Sequence, residues 1–127
     1  MAMEMNTLRV MVVEDEAHTR VMFRELVKCI PGTVVCELEN GLDILNQYET
    51  VRPDLILLDI HMPFKSGDDI VTELKQNYPD ARIIITTGTF DGETIEQCIG
   101  SGACGYIKKD LTFSEMRERL LSLLENE

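Results

Sequence analysis

Near the middle of the chain runs Leu55-Ile56-Leu57-Leu58-Asp59-Ile60-His61-Met62-Pro63. Four consecutive aliphatic residues do not suit a half-exposed strand, which alternates apolar and polar positions. They suit a strand covered on both faces, and such strands occur in parallel sheets with helices above and below. The run then ends on a carboxylate. A charge at the end of a buried strand needs compensation from something close by. Asp59 is therefore a candidate functional residue before any other position is considered.

Four more short runs are rich in Val, Ile and Leu, several of them apolar on consecutive positions: Leu8–Val13, Val34–Leu38, Ile83–Thr87 and Ala103–Ile107. Segments of helical period lie between and after them. Their apolar stripes are Val21, Met22, Leu26 and Ile30; Leu42, Leu45 and Tyr48; Ile70, Val71, Leu74 and Tyr78; Ile95, Cys98 and Ile99; and Phe113, Met116, Leu120, Leu121 and Leu124. Pro31-Gly32, Pro53-Asp54 and Pro79-Asp80 punctuate the changes of period. Ser114 or Thr112 caps the last helix. Strand and helix thus alternate five times. That order predicts right-handed crossovers and a doubly wound α/β domain with a five-stranded parallel sheet. No repeat, low-complexity tract or linker interrupts it, so residues 1–127 read as one domain with a core of about 8–124.

Composition limits the partners. The chain has 127 residues, 44% of them apolar, enough for one core without staples. Acidic residues number 23 against 12 basic, a formal net charge of −11. Such a surface repels nucleic acid and anionic lipid, and suits a divalent cation or a basic protein patch. Met1 to Thr7 carries Glu4 and lacks a basic start, and no run approaches a membrane span, so a cytoplasmic location is expected. Cys29, Cys36, Cys98 and Cys104 form no CxxC pair, and each sits in an apolar stretch. They read as buried free thiols.

In a doubly wound sheet, ligands bind outside the carboxyl ends of the strands. There the sequence places Glu14-Asp15-Glu16, Asp59, Thr87-Gly88-Thr89 and Lys108-Lys109-Asp110. Carboxylates about 5 Å apart repel by roughly 3 kcal/mol at an effective dielectric near 20. A hard cation between them removes that cost. An all-oxygen site points to Mg²⁺, with Mn²⁺ as the alternative. Lys109 adds an ammonium. A carboxylate nucleophile, a metal, a hydroxyl and a cation are the parts that phosphoryl transfer asks for, and a carboxylate accepts the group as an acyl phosphate.

Here the chain resembles the receiver domains of two-component response regulators. The resemblance runs from about Leu8 to Leu124. It rests on Val12-Val13-Glu14-Asp15-Glu16, Leu57-Leu58-Asp59-Ile60-His61-Met62-Pro63, Ser66-Gly67, Ile85-Thr86-Thr87-Gly88 and Gly102-Ala103-Cys104-Gly105-Tyr106-Ile107-Lys108-Lys109, in that order. It implies a flavodoxin-like (βα)5 fold of strand order 2-1-3-4-5. It implies Asp59 as phosphoacceptor, Asp15 as a direct metal ligand, Glu14 as a support acting through water, and the His61 backbone carbonyl as a further ligand. Thr87 and Lys109 would bind phosphoryl oxygens, and Tyr106 would swing inward with Thr87. The His61 side chain and Thr89 would tune access of water. Partners implied are a sensor histidine kinase or phosphotransfer protein, and an output protein docking on the face of helix four, strand five and helix five. A phosphorylation-dependent homodimer through the last two helices fits the same scheme.

His18 reads as surface, Lys108 as a solvated charge, and Asp68 and Asp69 as complements of a helix dipole. Thr86 reads as the strand position facing away from Thr87. Two departures from the family pattern matter. Asp110 stands where many relatives have proline after the lysine, so a trans bond and a shifted loop are expected. Gly88 follows Thr87, leaving an acyl phosphate open to approach. The leading reading is a phosphoacceptor switch rather than a turnover enzyme. One rival is an Asp-dependent Mg²⁺ phosphatase, which needs a second acid where His61 stands. Another is an interaction module that works without phosphorylation.

Overall fold

The computed structural model describes residues 7–88 and 92–125. Strands and helices alternate as predicted: β1 (Leu8–Val13), α1 (Ala17–Lys28), β2 (Gly32–Leu38), α2 (Ile44–Val51), β3 (Leu55–Asp59), α3 (Gly67–Asn77), β4 (Ile83–Thr87), α4 (Gly92–Gly100), β5 (Gly105–Lys108) and α5 (Phe113–Glu125). All four strand pairings are parallel and the order is β2-β1-β3-β4-β5. The reversal of strand order between β1 and β3 puts the switch point beside Asp59.

Consecutive aliphatics in β1, β3 and β4 are buried because both faces of the sheet are covered. One core holds Met11, Val13, Ile56, Leu58, Ile83 and Ile85 against α2, α3 and α4. The other holds Val10, Val12, Leu55, Leu57, Ile84 and Ile107 against α1 and α5. Odd and even strand positions therefore belong to different layers, as the pleat requires.

Local chemistry sets the ends of the elements. Thr112 caps α5 in a reciprocal box: its hydroxyl accepts from the Glu115 N–H at 3.1 Å, and the Glu115 carboxylate accepts from the Thr112 N–H at 2.9 Å. At the start of α3, a Cβ on Gly67 would lie 2.8 Å from the Ile60 Cα. Only glycine lets that helix close over the end of β3. All described peptide bonds are trans, Lys109–Asp110 included.

Several apolar positions fall elsewhere than expected. In α1 the buried stripe is Phe23, Leu26 and Val27, while Val21 is 48% exposed, because a residue five places before Leu26 lies off that face. Leu42 precedes α2 and is 64% exposed; Ile44 and Tyr48 make the buried contacts. Ile99 and Phe113 are exposed as well. Of the four cysteines only Cys98 is buried. Cys29 caps the end of α1. Cys104 immediately precedes the edge strand β5, where burial alternates residue by residue.

Candidate functional site

The parity of the strands assembles the site. Glu14 continues the layer of Val10 and Val12, Asp59 that of Leu55 and Leu57, and Lys109 that of Ile107. All three side chains thus leave the sheet on the side of α1 and α5. Carboxylate oxygens of Glu14, Asp15 and Asp59 lie within 4.8 Å of one another. Glu14 and Asp59 are 1% and 2% exposed, while Asp15 is exposed. The Lys109 ammonium stands between the two buried acids, 2.6 Å from Glu14 Oε1 and 3.3 Å from Asp59 Oδ2. The open pocket around them has a volume of about 570 Å³ and is lined by Glu14, Asp15, Glu16, Asp59, His61, Gly88 and Lys109.

Burial raises the Glu14 carboxyl above its ordinary range, against the Lys109 hydrogen bond, and the charge of Asp59 adds to the rise. Burial raises Asp59 in the same way, against the His61 N–H and Lys109, with Asp15 adding to it. One ammonium does not offset three carboxylates. The donor set is oxygen throughout and short of positive charge, which fits a hard divalent cation that keeps some of its water.

The backbone fixes this geometry. The His61 N–H donates to Asp59 Oδ1 at 3.0 Å, and the Glu16 N–H to Glu14 Oε2 at 3.1 Å. The Lys109 N–H donates to the Thr87 carbonyl at 2.7 Å, tying the loop after β5 to the end of β4. No pattern in the sequence singles out Arg20. Its Nη1 donates to the Glu14 carbonyl at 2.9 Å, and it pairs with Glu37 on β2 at 3.6 Å. It holds the loop after β1, and only the spatial approach of α1 to that carbonyl reveals it.

The remaining sequence candidates are distributed around this centre. Thr87 is buried at the last position of β4, one residue below Gly88, in the layer of Ile83 and Ile85. Tyr106 is half-buried against that same layer, with the Arg119 guanidinium 5.1 Å from its ring centre. The His61 side chain is exposed at the rim. A Cβ on Gly88 would meet nothing within 4 Å, so the pocket stays open there. Thr89 lies outside the described residues. Asp68 and Asp69 sit in the first turn of α3, as a dipole complement would. His18 is exposed, and Lys108 pairs with Asp110 at 3.8 Å. Among the described residues, no helix is long and apolar enough to cross a membrane.

Known proteins resemble this chain in sequence and in fold. The family model described as response regulator receiver domain matches residues 10–121. The chemotaxis protein CheY of Listeria monocytogenes is 30% identical over 113 residues, covering 89% of this chain and 95% of its own. Among solved structures, a LuxR-family two-component response regulator from an Aurantimonas species superposes with a TM-score of 0.87 at 26% identity, over 96% of this chain and 88% of its own. The response regulator domain of Thermotoga maritima CheB gives 0.83 at 26%, over 94% and 95%. With the sheet order, the acidic pocket and a match spanning most of the chain in agreement, the protein belongs to the receiver domains of two-component response regulators.

Proposed function

We propose that this chain is a single receiver domain that accepts a phosphoryl group on Asp59 and relays it as a change in affinity for a protein partner. The observation that carries the reading is the convergence of three carboxylates and one ammonium in an open pocket at the switch point of the sheet. Asp15 and Asp59 would hold Mg²⁺, or Mn²⁺, with the His61 carbonyl, and Glu14 through water. The bound ion supplies charge neutralisation for the incoming phosphoryl oxygens.

A carboxylate oxygen of Asp59 attacks the phosphorus of a phosphohistidine on a sensor kinase or phosphotransfer protein. The O–P bond forms as the N–P bond breaks. The electron pair of that bond stays with the imidazole, which takes a proton. Asp59 is already aimed, because the His61 N–H restrains one of its oxygens. Lys109 exchanges its contact with Asp59 for a phosphoryl oxygen, and the Thr87 hydroxyl binds another. Thr87 and Tyr106 border the same layer, so movement of one alters the packing of the other. That coupling carries the signal to the face of α4, β5 and α5, where an output partner or a second copy docks. His61 and Thr89 govern access of water and so the rate of hydrolysis. The setting is cytoplasmic.

A phosphatase reading lacks its second acid, since residue 61 is histidine. A module indifferent to phosphorylation would not need the charged pocket. Acetyl phosphate with Mg²⁺ should label the wild-type protein, and EDTA or Asp59→Asn should abolish labelling. Labelling that persists in Asp59→Asn refutes the assignment.

A further inference from the structure

The hydroxyl of Thr86 is buried, 1% exposed as a residue, and makes no hydrogen bond. A buried hydroxyl without a partner costs stability that valine, of the same shape, would not. Its position gives that cost a use. Thr86 pairs with Asp59 across β3 and β4, and with Ile107 across β4 and β5. Paired residues of adjacent parallel strands project to the same face. Thr86 therefore leaves the sheet on the side of Asp59, Glu14 and Lys109, whereas Thr87 leaves it on the other.

The strands are about 5 Å apart, so a hydroxyl one bond from its Cβ can reach a carboxylate two bonds from the neighbouring Cβ after a turn about χ1. In the unmodified protein both Asp59 oxygens are engaged, Oδ1 by the His61 N–H and Oδ2 by Lys109. Resting on the phosphoacceptor reading above, we propose that Thr86 is a second positioning hydroxyl, which donates to the Asp59 oxygen that remains a carbonyl after the other has bonded to phosphorus, once Lys109 has moved to the phosphoryl group. The bond forms only in the phosphorylated state. It replaces the contact that Lys109 gives up and favours that state over the unmodified one.

Thr86→Val removes the hydroxyl and keeps the shape. The test is titration of Mg²⁺-loaded protein with beryllofluoride, followed by amide NMR shifts, beside urea unfolding of the unmodified protein. Thr86→Val should bind beryllofluoride about three- to ten-fold more weakly, the worth of one hydrogen bond, with an unfolding midpoint equal to or above wild type. Thr86→Ser should keep wild-type affinity. Equal affinity in wild type and Thr86→Val overturns this proposal alone. A lower unfolding midpoint in Thr86→Val also overturns it, since the hydroxyl would then have a partner before phosphorylation. A wild-type protein that binds no beryllofluoride overturns the phosphoacceptor reading of Asp59, and this proposal with it.

Discussion

Replacing Lys109 with methionine, which keeps most of the side chain and removes the charge, leaves the Glu14 and Asp59 carboxylates buried without their cation. At 2.6 and 3.3 Å the two attractions amount to roughly 6 and 5 kcal/mol at an effective dielectric near 20. The measurable loss is smaller, because a carboxyl can take up a proton instead. Protonating Glu14, with an ordinary value of 4.5, costs about 3.4 kcal/mol at pH 7. The loss in Lys109→Met is therefore capped near that figure, within the range of about 3–5 kcal/mol typical of a broken buried pair. The variant binds more protons folded than unfolded, so its stability recovers as pH falls. The gap to wild type should shrink by up to about 1.4 kcal/mol per pH unit below neutrality, and by less where the raised Glu14 and Asp59 of the wild type take up protons themselves. Urea unfolding in EDTA at several pH values between 5.5 and 7 measures it. Saturating Mg²⁺ should narrow the gap at every pH, since it substitutes for the missing charge. A loss independent of pH, or one that Glu14→Gln does not relieve, would refute the electrostatic account and leave Lys109 a packing residue.

Other expectations follow from the same geometry. Gly67→Ala forces a Cβ to within 2.8 Å of the Ile60 Cα and should destabilise the fold by about 1–3 kcal/mol in urea unfolding; an unchanged midpoint would contradict the close approach. Glu14 and Asp59 both have folded-state values raised above their ordinary 4.5 and 3.8, so in EDTA they favour folding at low pH and lose that contribution as pH rises through the raised values. The stability of wild type relative to Glu14→Gln should accordingly grow as pH is lowered from 7 toward 5, and a flat difference would contradict the shift.

Much of this was legible in the chain, and the gaps have physical causes. Four aliphatics before Asp59 announced a strand covered on both faces, and β-α alternation left few topologies open. The meeting of Glu14, Asp15, Asp59 and Lys109 followed from placing those residues at the carboxyl ends of their strands. Helix faces were less legible. Val21 and Leu42 are apolar yet exposed, because a stripe read from spacing alone does not show where a helix begins or how it is turned. The cysteines misled for a similar reason: an apolar neighbourhood in sequence does not bury a residue beside an edge strand or at a helix end. Arg20 escaped notice because its target is a backbone carbonyl, which no side-chain pattern encodes. The opposite facing of Thr86 and Thr87 follows from the alternation of a strand. That Thr86 stands in register with Asp59 required the pairing of β3 with β4.

The most direct test is to treat the protein with acetyl phosphate and Mg²⁺, reduce the product with borohydride, and map the modified residue by peptide mass spectrometry. The account predicts homoserine at position 59, formed from the acyl phosphate and absent when EDTA replaces Mg²⁺. Reduction at another acidic residue, or at none while the protein stays folded, would contradict it.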